Sequence, residues 1–302
     1  MHTSLSNSAV VVYALAQRDP GVPLLAEALR YLMAHRQVNG GWGSTYQTAW
    51  TLMALTEVVK GTGELGGDFS FSATLNKNPI AEGLAGGPAQ LTPVTAQVPI
   101  QRLYPDYPNA LLIQRSPGQG RLYYTAGLLV SQPVDQVAPL SQGLSITRAY
   151  YPTGDACPEG ECDPLTSAPL GSKISVRLTL SLPQDVYYLA VEDYIPAGSE
   201  ILDTRLKTTQ LGEFEEPQVE VLYDPRNPFA KGWGWWLFNA EQIYDDHITW
   251  TADYLPAGTY ELTYTLVTTH AGGFQTIPAR AWQIYFSDVQ ANSAGRLFEI
   301  GP

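Results

Sequence analysis

Apolar residues recur at helical spacing up to about residue 62 and at alternating spacing beyond it, so the chain changes character once. In the first stretch, Ser6-Asn7-Ser8 leads into AVVVYALAQ, and Asp19-Pro20-Gly21 closes that helix. A second helix, PLLAEALRYLMAHR, sets Leu25, Leu29, Leu32 and Met33 on one face. Asn39-Gly40-Gly41 stops it, because glycine accepts the left-handed backbone of a helix end. Ser44 and Thr45 then cap YQTAWTLMALTEVVK, with Trp50, Leu52, Met53 and Leu55 facing inward or nearly so. Short connections make such helices antiparallel neighbours. Together they carry more apolar surface than they can bury against one another. The pattern reads as the end of a larger helical array.

After Gly61-Thr62-Gly63 the period falls to two, with Gly and Pro as punctuation. FSFSATLN, AQLTPVTAQVPI, NALLIQRS and GRLYYTAGLLVSQ all read as strands, and SPGQG turns the last two into a hairpin. QPVDQVAPLSQ, residues 132–142, is a linker. Beyond it come GLSITRAYYP, SKISVRLTLSLP, VYYLAVEDYIP, PQVEVLYD, HITWTADYLP, TYELTYTLVTTH and RAWQIYFSDVQ. That spacing fits an immunoglobulin- or fibronectin-like sandwich. EDYIPAGSEIL and ADYLPAGTYEL echo one another, each with a Pro-Ala-Gly turn in which Pro fixes φ and Gly accepts φ > 0. The fold class is mainly β with an N-terminal α segment.

Composition narrows the function. A length of 302 residues suggests two or three domains, and 44% hydrophobic with 15% charged residues is enough for packed cores. Against 17 Lys and Arg stand 29 Asp and Glu, a net charge of −12 that repels phosphate backbones and argues against a nucleic-acid partner. No apolar run reaches the ~18–20 residues of a transmembrane segment. The N-terminus has no basic flank before its apolar stretch, so it reads as an amphipathic helix entered abruptly rather than a signal peptide. The chain has two cysteines, Cys157 and Cys162, in CPEGEC. The Pro- and Gly-containing turn between them favours a small disulfide loop and an oxidising compartment over two surface thiols. A zinc site would need two further ligands, and none is near in sequence.

Catalytic chemistry is hard to find. The four histidines are His2, His35, His247 and His270, and no GxSxG, HExxH, P-loop or strand-to-helix GxGxxG is present. His247 follows Asp245-Asp246, but a polar turn before ITWTADYL explains that cluster more simply than a metal. The acidic runs DACPEGECD and GEFEEPQ lack the ligand spacing of a calcium loop. No cofactor is expected and no catalysis. In KGWGWWLFNAEQIY, Trp233, Trp235 and Trp236 offer a contact surface, for packing, for another domain or for stacking on a sugar.

One segment resembles a known family. QVNGGWGSTYQTAWTLMAL is similar to a stretch near the end of the thioester domain of alpha-2-macroglobulins and complement thioester proteins. Gly40, Gly41, Trp42, Ser44, Thr45 and Thr48 match it, and Gln47 stands where an acid is usual. TLNKNPI and NALLIQRSPGQGRLYYTAGLLV resemble the returning half of the CUB-like β domain in bacterial members. LSQGLSITRAYY, GSKISVRLTLSLPQDVYYLAVEDYIPAG and LPAGTYELTYTLVTTHAGGFQTIPARA resemble their terminal macroglobulin-type sandwich. The resemblance implies three parts: residues 1–63 as the last helices of a thioester-type toroid, 64–138 as the CUB-like domain, and 139–302 as the sandwich.

It also implies a function. Members are secreted or cell-envelope protease traps, in which bait cleavage exposes an internal Cys–Gln thioester that bonds to the attacker. The Cys-x-Glu-Gln motif for that bond is absent from this chain. What the resemblance leaves here is a lid. In bacterial members a Met-Tyr-x-Pro-Glu loop shields the thioester from water; Ile284 and Tyr285 match its first two positions, while Ser287-Asp288 replace Pro-Glu. The implied partners are the other domains of a parent inhibitor and, through it, target proteases. The alternative is an extracellular adhesion or glycan-binding module built on the tryptophan loop. A terpene-cyclase-like helical enzyme, suggested by Gln37-x-x-Gly-x-Trp42, lacks the Asp-rich acid motif it would need.

Overall fold

Thr3 and Ser44 begin two helices by one device, a hydroxyl that accepts from a backbone N–H three residues on while that residue's side chain reaches back. They start α1 (Ser4–Arg18) and α3 (Thr45–Thr62); α2 (Pro23–Ala34) begins with a proline in its first turn. The computed structural model describes residues 3–37, 40–86, 92–153, 162–203 and 218–302. The first helix thus starts earlier than the Ser6-Asn7-Ser8 expectation, with Ser6 as the reciprocal partner of the cap.

The chain divides into two compact units, residues 1–128 and 129–302. In the first, Ala9, Val12 and Ala16 of α1 meet Ala54 and Val58 of α3, with Leu25, Leu29 and Leu32 of α2 completing the core. Trp42 is buried and its Nε1 donates to the Leu32 carbonyl at 2.6 Å. The inward stripe of α3 is Gln47, Thr51, Ala54 and Val58, whereas Leu52 and Met53 face out, contrary to expectation. Small residues on both helices explain this, since they let α1 and α3 lie close, and larger side chains are turned to the flanks. Trp50 and Leu55 pack partly buried at the edge of that core.

Past α3, β1 (Phe69–Leu75) pairs antiparallel with β2 (Asn78–Ala85) and with β3 (Leu111–Arg115), in the order β2-β1-β3. The β1–β2 turn is Asn76-Lys77, both at positive φ, the backbone of a two-residue hairpin turn. Two expected strands do not form. Residues 92–99 of AQLTPVTAQVPI join no ladder (89–91 lie outside the described residues), and neither does RLYYTAGLLV, so the expected hairpin is replaced by β1 against β3. Side chains account for the second case. Arg115 donates to the carbonyls of Gly118 and Gly120, and Glu64 takes Tyr123 Oη at 2.7 Å and Arg121 at 3.2 Å. These bonds fasten the segment away from the β3 edge. Burial, with the bond to Glu64, pushes the Tyr123 phenol up to about 12.

The second unit is built of β4 (Leu140–Gln142), β5 (Ser145–Pro152), β6 (Ser167–Pro169), β7 (Lys173–Leu182), β8 (Val186–Tyr194), β9 (Ser199–Ile201) and β10 (Gln218–Tyr223). It continues with β11 (Gln242–Ile243), β12 (His247–Leu255), β13 (Gly258–Thr268), β14 (Gly272–Thr276), β15 (Arg280–Gln283), β16 (Phe286–Asn292) and β17 (Arg296–Gly301). One sheet runs β10-β13-β7-β5 with β9 also on β13; the other runs β11-β12-β8-β15-β16-β4, and β14-β17-β6 forms a small third. Alternate residues of β7, β12 and β13, among them Val176, Leu178, Leu180, Ile248, Trp250, Leu262 and Leu266, make one core between the main sheets.

That core holds an ion pair. Arg148 of β5 reaches across to Asp193 of β8 at 2.5 Å, and Tyr264 Oη of β13 donates to the other carboxylate oxygen at 2.7 Å. Arg148 also donates to the carbonyls of Tyr194 and Thr276. Complete burial raises the Asp193 carboxyl above the usual range, and Arg148 and Tyr264 oppose that shift. Burial is the largest single influence on the guanidinium and works to lower it, but Asp193, Tyr150 and Tyr264 together outweigh burial and hold Arg148 charged.

The two Pro-Ala-Gly corners need glycine for a reason other than the one expected. Neither Gly198 nor Gly258 has positive φ; a Cβ would lie 2.2 Å from the Phe274 ring at Gly198 and 2.6 Å from the Tyr223 carbonyl oxygen at Gly258. Close approach is the constraint.

Candidate functional site: the β15–β16 hairpin tip

RAWQIYFSDVQ, expected as one strand, is a hairpin whose two-residue turn is Ile284-Tyr285, closed by the pairing of Gln283 with Phe286. Neither turn residue has positive φ, so the turn is not one of the mirror-image types that match strand twist. A register shift at Trp282/Gln283 absorbs the mismatch. The hairpin is rooted in the core by Ala281 and Gln283, both buried, on the side where β15 pairs with β8.

Ile284 is 45% exposed and Tyr285 is half-buried. Two contacts fix them. The Ile284 N–H donates to the Tyr188 carbonyl at 2.9 Å, and the Tyr285 ring meets the Tyr188 ring edge to face, centroids 5.1 Å apart at 88°. An apolar side chain and an aromatic ring are therefore held at the end of a rigid two-strand arm. Such a tip can cover a water-sensitive group; its one polar side-chain group is the Tyr285 phenol.

The tryptophan loop is arranged differently from a packed strand. Trp233 and Trp236 are 62% and 58% exposed, while Leu237 and Phe238 turn into the core, Phe238 edge to face with Tyr260. Trp235 opens a single 3-10 turn, Trp235–Leu237. The loop is pinned to β10 by Val221 N–H to the Trp233 carbonyl and Gly232 N–H to the Val221 carbonyl. Gly234, at φ +111, leaves room for Val221 that a Cβ would fill. Packing against the sandwich is thus left to Leu237 and Phe238, and Trp233 and Trp236 form an outward surface.

His247 stacks between Tyr244 and Tyr194, with centroids at 4.3 Å and 5.1 Å, and its Nδ1 lies 2.6 Å from Asp246. That bond holds the Asp246 carboxyl below the usual range. Among the described residues no group of three or more His, Cys, Asp or Glu is placed to hold a metal, and no helix is long and apolar enough to cross a membrane. Cys162 is disulfide-bonded, and Cys157 lies outside the described residues. Tyr188 went unnoticed in the sequence; the one signal was a pair of tyrosines where strand alternation calls for one inward residue.

Residues 143–288, which include the hairpin tip, match the family model of the bacterial alpha-2-macroglobulin MG10 domain. No curated protein matches the chain in sequence. Its fold resembles a Tyr-to-Gly mutant of Salmonella alpha-2-macroglobulin (15% identity, TM-score 0.53) over 100% of this chain and 17% of that one. Native Escherichia coli alpha-2-macroglobulin from domain MG7 to the C-terminus is similar at 15% identity and TM-score 0.52, over 100% of this chain and 42% of that one. So is Salmonella alpha-2-macroglobulin reacted with methylamine, at 16% identity and TM-score 0.51, over 100% and 17%. The chain therefore spans less than half the length of these relatives, and at such identities the likeness is one of fold. Residues 143–288 thus match a domain of the bacterial alpha-2-macroglobulins, and the chain as a whole has the fold of their C-terminal region.

Proposed function

We propose that the chain is the C-terminal portion of an alpha-2-macroglobulin-type protease trap, in which it supports and shields a thioester carried on a preceding domain. The observation that carries this reading is the hairpin tip: Ile284 and Tyr285 stand together at a turn inside the MG10 match, an arrangement suited to a lid. An activated ester survives only where water is kept from its carbonyl. Ile284 supplies apolar bulk and Tyr285 a flat ring.

The remaining parts take roles to match. Residues 1–63 are the closing helices of a thioester-type toroid, 64–138 the returning half of a CUB-like domain, and 139–302 the terminal sandwich. Surface supports this. Val11, Leu24 and Leu52 are each about half exposed, and within β1–β3 Phe69 is the one buried residue. Helices and a sheet with so much apolar area open are suited to contact with further domains of the same protein. A Cys157–Cys162 bridge and an extracellular or periplasmic setting follow from the same reading. The chain itself is not an enzyme; target proteases meet the whole protein.

The test is made in the full-length protein. Tyr285→Ala should raise the rate of thioester loss to methylamine, read as thiol release, by at least several-fold. An unchanged rate removes the hairpin tip from the mechanism, and a full-length product without a methylamine-reactive bond removes the trap reading. The outward Trp233 and Trp236 favour one second reading, a glycan-binding module; polysaccharide binding lost in Trp236→Ala would support it.

A further inference from the structure

Within β8, Val186, Leu189 and Val191 enter the core between the main sheets, and Asp193 is fully buried in line with them. Leu189, Val191 and Asp193 alternate as a strand should, but Val186 and Leu189 are three apart, so the strand must change phase between them. It does so at Tyr188, whose φ is +52. Among the described residues the other non-glycine residues at positive φ are Asn76 and Lys77, in a hairpin turn that requires it. For a bulky side chain inside a strand this backbone is strained.

The phase change needs a left-handed residue, not a tyrosine: glycine or asparagine would adopt that backbone with less strain. The tyrosine does something those residues would not. Its ring meets Tyr285 of the β15–β16 tip edge to face at 5.1 Å, a contact added to the backbone bond by which the residue 188 carbonyl takes the Ile284 N–H at 2.9 Å. The neighbouring ring, Tyr187, goes elsewhere, to Tyr254 at 5.1 Å, and Tyr254 Oη is bonded to Asp185. The two adjacent tyrosines therefore serve different contacts, and the strained one supports the tip.

We infer that Tyr188 is a positioning residue for the Ile284-Tyr285 tip, holding the turn backbone through its carbonyl and the Tyr285 ring through its own. The inference rests on the shielding reading for its functional meaning, and on geometry alone for the local restraint. Without the Tyr188 ring the tip keeps its strands but loses the buttress on one side of Tyr285. Its turn then samples open positions more often.

The experiment uses three variants of the chain. Tyr188→Gly and Tyr188→Asn keep the left-handed backbone and remove the ring, and Tyr188→Phe keeps the ring. Amide hydrogen exchange at Ile284 should quicken several-fold, up to about tenfold, in the first two, as expected for loss of one aromatic pair. Their melting temperatures should equal or exceed that of the parent, because backbone strain is relieved, and the Phe variant should exchange like the parent. Ile284 exchange unchanged in both ring-less variants overturns the inference, as does a Phe variant as fast as they are. In the full-length protein the ring-less variants should lose the thioester to methylamine faster, alongside Tyr285→Ala. If Tyr285→Ala accelerates the loss and Tyr188→Gly and Tyr188→Asn do not, positioning fails and shielding survives. If Tyr285→Ala itself has no effect, shielding fails, and Ile284 exchange alone decides the restraint.

Discussion

Replacing Arg148 by methionine keeps most of the side-chain volume and removes the charge that faces Asp193. In the parent, both groups are withdrawn from water, with side chains 3% and 0% exposed, and Asp193 is met by Arg148 at 2.5 Å and Tyr264 Oη at 2.7 Å. After the change one carboxylate oxygen has no cation opposite it. Removing one partner of a buried pair costs about 3–5 kcal/mol. For a unit of this size about 2–4 °C accompanies each kcal/mol, so the melting temperature should fall by roughly 6–20 °C at neutral pH. The pH dependence gives a sharper test. Asp193 already titrates above its ordinary value because of burial, and losing Arg148 takes away the main opposing influence. A carboxyl raised in the folded state contributes its stability below the unfolded value of about 3.9, and loses it as pH rises through the folded value. The deficit of the variant relative to the parent should therefore be largest near neutrality and shrink as pH falls toward 4. Adding Asp193→Leu and Tyr264→Phe, so that neither the carboxylate nor the hydroxyl is stranded, should recover most of the loss. Thermal and urea unfolding followed by tryptophan fluorescence would measure all of this. A loss under about 1 kcal/mol, or the same deficit at pH 4 as at pH 7, would refute the assignment of Asp193 as a buried charge held by Arg148.

Other expectations are simpler. Ser44→Ala removes the acceptor for the Gln47 N–H and should cost about 1 kcal/mol in helical stability by circular dichroism; no change would mean the α3 start is held by other bonds. Gly258→Ala sets a methyl against the Tyr223 carbonyl and should destabilise the sandwich by about 1–3 kcal/mol, while Gly301→Ala, with open space around it, stays within about 0.5 kcal/mol. Thiol titration of the unfolded, unreduced protein should find none free, because Cys162 is disulfide-bonded; two free thiols would contradict the bridge.

The sequence by itself determined the change from helix to strand near residue 63, the caps at Ser44 and the long strands of the sandwich. These follow from periodicity and local hydrogen bonding, which neighbouring residues settle among themselves. Gln47 shows how local and tertiary information meet. Its part in the capping box is local, but its Nε2 also donates to Thr3 Oγ1 at 2.8 Å, which ties α3 to the start of α1. Only the tertiary structure decided which face of α3 is buried, because the close approach of α1 selects small residues over Leu52 and Met53. It also decided that RLYYTAGLLV joins no sheet, since a strand needs a partner edge and the segment's first residues are held by Glu64. The hairpin tip is the clearest case. Alternation in RAWQIYFSDVQ cannot mark a turn made without glycine, asparagine or proline, and the bend at Ile284-Tyr285 exists because β8, itself redirected at Tyr188, offers a carbonyl and a ring to receive it. A pattern along the chain records what each residue prefers; which preference prevails depends on the surface that folding brings opposite.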